Sequence, residues 1–351
     1  MKVLAIESSC DDTSIAIVDS FKKIKYIQTI NHQKFHKDFG GVVPEMAARQ
    51  HLDIMDVILK NISPQQLKTV DCIAATYGPG LIGGLIVGSS IAKGIAIALN
   101  KPLIPINHLQ AHLLSPRMVA KIHFPYLCLL VSGGNTAIVL IETEKKFKIL
   151  GSTIDDSAGE CFDKVAKFMG LGYPGGPALE KLAIGGDANA FILPKPLTKT
   201  KNCNFSFSGL KTSAIKIIGS HDNTKIFQKN FAASFQKSIS NILKIKISNA
   251  IDLLDKRNIK VRDFSICGGV AANKIINKDL KEFVNEKKMN FYQVPLSLCT
   301  DNAAMIGWNA LELAKTMGLK KNNYSIRPTP NILINESLSL IHISEPTRRR
   351  G

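Results

Sequence analysis

Short apolar runs broken by small polar residues open the chain. Residues 3–6 read as a buried strand that ends on Glu7, residues 8–13 as a polar loop, and residues 14–18 as a second strand folded back on the first. The same pattern returns at residues 126–131, 132–136 and 137–141. A second recurring unit is a buried strand, a glycine loop and a helix: residues 72–75 precede Gly78-Pro79-Gly80, and residues 264–267 precede Gly268-Gly269. One α/β plan is therefore used twice. Apolar positions at helical spacing predict helices over 45–59, 81–99, 227–254 and 303–317; the third carries Phe227, Phe231, Phe235 and Ile239 four apart, a core stripe. The interval from hairpin to glycine loop is longer in the second half, by an insertion at about 151–225.

Two α/β lobes with small-residue loops build a cleft in which glycine amides can cradle phosphate, so a nucleotide-binding architecture is expected. Lobe I is expected over 1–107 plus about 300–327, and lobe II over 108–299. Residues 328–351 lose the apolar periodicity, and 339–350 read like translated sequencing-adaptor sequence. The tail is set apart from the fold, and 339–350 are expected to be an assembly artefact in place of the true C-terminus.

The chain has 351 residues, of which 45% are hydrophobic, enough for a packed core and far from the composition of a disordered chain. Its seven cysteines are odd in number and never form Cys-x-x-Cys, which fits reduced thiols in a cytoplasmic protein. No targeting peptide is expected. The most membrane-like stretch, 81–99, is interrupted by Gly83, Gly84, Gly88, Ser89, Ser90, Lys93 and Gly94, so no membrane association is expected. The formal net charge is +17, and residues 201–300 alone carry 17 basic against 7 acidic side chains. Such an excess fits phosphate contacts with a nucleic acid, and it equally fits the lysine-rich codon usage of an AT-rich genome.

His108 and His112 stand four apart, which on a helix puts both imidazoles on one face and within reach of one metal ion; two core histidines is the plainer alternative. Leu109 occupies the place where common zinc peptidases keep a glutamate base, which argues against peptidase chemistry. Asp301, at the start of a predicted helix, is a third hard ligand or an ordinary N-cap. The glycine pairs Gly133-Gly134 and Gly268-Gly269 permit close backbone approach to a ligand, or only tight turns. The segment from Asp155 through Pro177 reads as a substrate loop, or as a solvated turn. Residues 205–212 read as an edge strand and loop with no assigned chemistry.

Together with residues 7–13 (ESSCDDT), 40–45 (GGVVPE) and 78–81 (GPGL), these segments resemble the TsaD/Kae/Qri family, in family order across residues 1–327. The resemblance implies the bilobal actin/Hsp70/sugar-kinase superfold and transfer of a threonylcarbamoyl group from threonylcarbamoyl-AMP to adenosine 37 of tRNAs that read codons starting with A. It implies one divalent metal, iron or zinc with magnesium as a further option, held by His108, His112 and Asp301. It implies substrate binding, including the adenylate moiety, by Leu130, Val131, Ser132, Gly133, Gly134, Asp163, Gly176 and Asn273. Asp11 and Asp12 face the nucleotide as catalytic candidates, and no general base is identified. Besides tRNA, the implied partners are a TsaB-like paralogue docking on lobe I helices, a TsaE-like P-loop ATPase, and a TsaC-like enzyme that supplies the adenylate. The sequence departs from the family at Asp12, where Glu is frequent, at Gln110 and Ala111, where Glu and Gly are common, and at Asn135, in place of a common His. The rival expectation is a small-molecule kinase or ATPase of the same superfold, which has no need of the histidine pair.

Overall fold

The computed structural model describes residues 1–32, 42–319 and 324–336. Two compact units emerge: Met1–Val119, Glu144–Lys146 and Asp301–Gly351 form one, Ala120–Thr143 and Phe147–Thr300 the other. In the first unit, strands β1 (Lys2–Glu7), β2 (Asp12–Asp19) and β3 (Ile24–Asn31) form an antiparallel meander, and β4 (Cys72–Gly78) and β5 (Leu103–Asn107) extend it in parallel, in the order β3-β2-β1-β4-β5. In the second, β6 (Tyr126–Val131), β7 (Thr136–Ile141) and β8 (Phe147–Ser152) form the meander, and β9 (Asp263–Cys267) and β10 (Asn290–Gln293) add in parallel, in the order β10-β9-β6-β7-β8. The two sheets share one topology, as the repeated sequence plan predicts. Each meander has a third strand that the two-strand reading did not include.

The helices are α1 (Pro44–Lys60), α2 (Pro64–Lys68), α3 (Ile82–Ala98), α4 (His108–Val119), α5 (Ala158–Phe168), α6 (Gly175–Leu182), α7 (Ser208–Gly219), α8 (Lys225–Lys256), α9 (Lys274–Glu286) and α10 (Ala303–Met317). The four predicted helices fall within two residues of α1, α3, α8 and α10. In α8 the residues Phe227, Phe231, Phe235 and Ile239 are buried, and successive phenylalanine rings stack about 6 Å apart.

Helix α3 inverts ordinary amphipathicity. Its buried stripe is Gly84, Leu85, Gly88, Ser89, Ala92 and Ala96, while Ile82, Ile86 and Ile97 are exposed. The reason is close approach: a Cβ on Gly84 would collide with the Ser8 carbonyl, and one on Gly88 with the Ser8 hydroxyl. Glycine there lets α3 press against the loop that follows β1.

Several sequence expectations need correction. The lobe boundary expected after residue 107 differs: α4 is buried along nearly its whole length, packs on α10, and joins the first unit. The stretch read as a substrate loop is largely helical, as α5 and α6, and residues 208–212 begin α7 instead of forming a loop. Acidic, glycine and proline residues there act as caps: the Asp155 carboxylate accepts from the Phe207 and Ser208 amides at the start of α7. Residues 328–336 are not outside the fold. Thr329 N donates to Tyr77 O, Gly80 N to Pro330 O, and Ile332 sits in the core of the first unit. The stretch 339–350 and the glycines at 40–41 lie outside the described residues.

Candidate functional site

The first unit gathers His108, His112 and Asp301 into one cluster. Each is placed by local rules. Asn107, the last residue of β5, accepts from the backbone of Leu109 and Gln110 through Oδ1, so α4 begins at His108 and its first turn carries the pair. The rings of His108 and His112 meet edge to face with centroids 4.7 Å apart. At the other side, Asn302 takes the N-cap of α10, accepting from Met305 N, and Ala303 N donates to Ser14 Oγ. The capping role open to Asp301 is therefore filled by its neighbour. Asp301 Oδ1 turns to the histidines, 3.4 Å from His108 Nε2 and 3.0 Å from His112 Nε2.

A second carboxylate closes the far side of His108. Glu7, at the end of β1, is fully buried and approaches His108 Nδ1 at 3.0 Å through Oε2. Thr76 on β4 donates to the same oxygen, and Ser9 N donates to Oε1. Burial works against ionising all three groups, and their mutual attraction prevails: the Glu7 and Asp301 carboxyls lie below the usual carboxylate range and His108 is pushed well above the usual imidazole range. Sequence reasoning missed Glu7 and Thr76 because both sit in strands that read as plain core; a lone carboxylate ending an apolar strand was the available signal.

Asp11 and Asp12 are nearly buried beside this cluster, and Asp12 Oδ1 accepts from Asn31 Nδ2 at 2.7 Å. Burial first, and then the Asp301 charge, push the Asp12 carboxyl up to about 8. Carboxylates crowded around two imidazoles repel one another until a cation is shared among them. Two imidazole nitrogens and a carboxylate oxygen are a donor set suited to zinc or ferrous iron, and their 3.0 and 3.4 Å separations match adjacent ligands on bonds of about 2.0–2.1 Å. The residues present fit the implied metal.

The second unit brings the other predicted residues to the ends of its strands and helices. Leu130 and Val131 end β6; Ser132, Gly133 and Gly134 form the turn into β7, with Ser132 N donating to Asn135 O. Nothing lies within 4 Å of where a Cβ on Gly133, Gly134 or Gly176 would stand, so these backbones are open to a ligand. Asp163, on α5, accepts from Gly175 N at 2.7 Å and fixes the start of α6, where Gly176 lies. Asn273 caps α9, accepting from Ile275 N and Ile276 N, while its Nδ2 donates to Gln236 Oε1. These bonds give Asn273 a structural occupation that sequence did not reveal.

A duplicated meander-plus-parallel sheet is the architecture of the actin/Hsp70/sugar-kinase superfold, here with a histidine–histidine–aspartate cluster in its first unit. The solved HypF structure from T.kodakarensis shares the fold, with a TM-score of 0.59 at 14% identity over 91% of this chain and 48% of that one. The chain belongs to the TsaD family, described as tRNA N6-adenosine threonylcarbamoyltransferase, which matches residues 25–308. A protein of that name from Wolbachia sp. subsp. Brugia malayi (strain TRS) is 44% identical, across 93% of this chain and 97% of its own length. Another from Rickettsia conorii (strain ATCC VR-613 / Malish 7) is 46% identical, across 89% and 92%.

Proposed function

We propose that this chain transfers a threonylcarbamoyl group from threonylcarbamoyl-AMP to N6 of adenosine 37 in tRNAs that read codons starting with A. The observation that carries this reading is the convergence of His108, His112 and Asp301 in a chain matched by the family over residues 25–308. In the reaction the N6 amine attacks the carbamoyl carbonyl carbon, the bond from that carbon to the phosphate oxygen breaks, AMP leaves, and N6 gives up a proton. A metal held by His108, His112 and Asp301 supplies Lewis acidity towards carboxylate and phosphate oxygens. Asp11 and Asp12 stand beside that set. Asp12, whose Oδ1 accepts from Asn31 Nδ2, is the candidate acceptor for the N6 proton. The exposed amides of Gly133 and Gly134, beside Leu130, Val131 and Ser132, suit the adenylate, with Asp163 and Asn273 holding the flanking turns and Gly176 lying open.

An anticodon-loop base is already largely unpaired, so presenting it requires little unstacking. Lys274, Lys278 and Lys281 are exposed along α9 at spacings of four and three, a basic face suited to tRNA phosphates. Leu52 and Val57 on α1 and Ile82, Ile86 and Ile97 on α3 are exposed apolar residues on two helices that pack together, which supports docking of a TsaB-like paralogue there. The TsaE-like ATPase and the TsaC-like adenylate source stay in the proposal as the family's supply chain. No helix among the described residues is long and apolar enough to cross a membrane, and a cytoplasmic setting fits a tRNA substrate. The test is nucleoside mass spectrometry of unmodified tRNA incubated with the chain, its partners and threonylcarbamoyl-AMP: threonylcarbamoyladenosine formed only when this chain is present supports the proposal.

A further inference from the structure

We propose that Glu7 is the positioning residue of the metal centre, fixing the ring orientation and tautomer of His108. The proposal rests on reading His108, His112 and Asp301 as metal ligands. Glu7 has no exposed surface, and it ends a strand whose Val3, Leu4, Ala5 and Ile6 are all wholly buried. A carboxylate in such surroundings is expensive unless donors surround it. Here three do: Ser9 N at 2.6 Å to Oε1, and Thr76 Oγ1 at 2.5 Å and His108 Nδ1 at 3.0 Å to Oε2. An ionised carboxylate only accepts, so the hydrogen on this side of the imidazole belongs to Nδ1. Ser9 Oγ, 3.2 Å from the same nitrogen, both donates and accepts and is compatible with that assignment. The opposite nitrogen, Nε2, is then left to face Asp301 Oδ1 as the ligand atom.

His112 offers a contrast within the same site. Its Nδ1 is buried and has no hydrogen-bonding partner among the described residues. Its ring is held by packing and by Asp301, whereas His108 is aimed from behind by a carboxylate anchored to two strands. Outer carboxylates of this kind orient a ligating imidazole and raise its donor strength, and their loss typically weakens metal binding about ten- to a hundredfold.

The experiment uses the full chain, freed of metal and titrated with Zn2+ against a chromophoric chelator. Glu7→Gln keeps the side chain's shape and removes its charge; we expect its zinc Kd to rise about ten- to a hundredfold. Met55→Ala, a core truncation in the same unit away from the cluster, serves as the stability control: its melting temperature should fall while its zinc Kd holds. A Glu7→Gln Kd within about threefold of wild type, with a lowered melting temperature alone, overturns the proposal and leaves Glu7 a structural residue. A second measurement needs no variant. In the zinc-loaded wild-type chain, nitrogen NMR of His108 should show the proton on Nδ1, and a proton on Nε2 overturns the proposal. Absence of zinc binding by the wild-type chain would instead overturn the ligand assignment itself, and this inference with it.

Discussion

Replacing His108 and His112 by alanine in turn separates the two histidines energetically. If His108 and His112 hold the proposed metal, both variants should lose it. Their metal-free stabilities should differ. His108 lies between two carboxylates, at 3.0 Å from Glu7 Oε2 and 3.4 Å from Asp301 Oδ1. Removing one partner from a buried charged cluster typically costs about 3–5 kcal/mol. Glu7 keeps its Ser9 and Thr76 donors and Asp301 keeps His112, which places His108→Ala near the lower end, about 3 kcal/mol. Among the described residues His112 has one carboxylate partner, at 3.0 Å, and nothing at Nδ1, so His112→Ala forfeits about 1–2 kcal/mol. At about 2–4 °C per kcal/mol, metal-free His108→Ala should melt about 2–8 °C below His112→Ala. The assay is a melt of both variants in chelator at pH 6.5, with metal content by elemental mass spectrometry. Equal melting temperatures, or metal retained by His108→Ala, would refute this reasoning.

Three further outcomes are expected. In the metal-free chain the raised His108 pKa gives stability that is fully present below pH 6.5 and lost as pH rises through the folded value, while bound metal takes the place of the Nε2 proton; melting temperature from pH 6 to 9 should therefore fall in chelator and rise with saturating Zn2+, and slopes of one sign would contradict this. Asp12, raised from 3.8 to about 8, loses stability across that interval as pH rises, so Asp12→Asn should raise the melting temperature at pH 8.5, have less effect at pH 5, and lower transfer about a hundredfold or more; a lower melting temperature at pH 8.5 would contradict it. Ending the chain after Arg327 removes the buried Ile332 and Ile334, each worth about 1.5–3 kcal/mol, together with the Ile334 carbonyl that accepts from Gln110 Nε2 on α4; a melting temperature equal to the full chain's would show that this segment does not hold the first unit together.

The duplicated architecture was legible because strand-loop-strand and strand-glycine-helix patterns recur in order, and periodicity located α1, α3, α8 and α10. The third strand of each meander was harder to see: β3 alternates half-exposed and exposed positions at a sheet edge and has no continuous apolar run. The boundary after residue 107 differed because α4, which follows β5 directly, packs on α10 in the first unit, a long-range contact that local pattern does not carry. The clustering of His108, His112 and Asp301 was reachable from spacing and resemblance, but the groups that support it were not. Thr76 meets Glu7 because β1 and β4 pair in parallel, and Glu7 meets His108 because β5 adds beside β4, long-range facts that local pattern does not carry. Residues 328–336 misled for a similar reason, since a segment held by backbone bonds to Tyr77 and Gly80 needs no apolar periodicity of its own.

The most direct test of the central claim is transfer by the full chain, supplied with threonylcarbamoyl-AMP, its partner proteins and unmodified tRNA, and read by nucleoside mass spectrometry beside Asp301→Ala. The account predicts threonylcarbamoyladenosine with the wild-type chain and its loss with the variant. Equal product from the variant, or none from the wild type when the same partners support another family member, would contradict it.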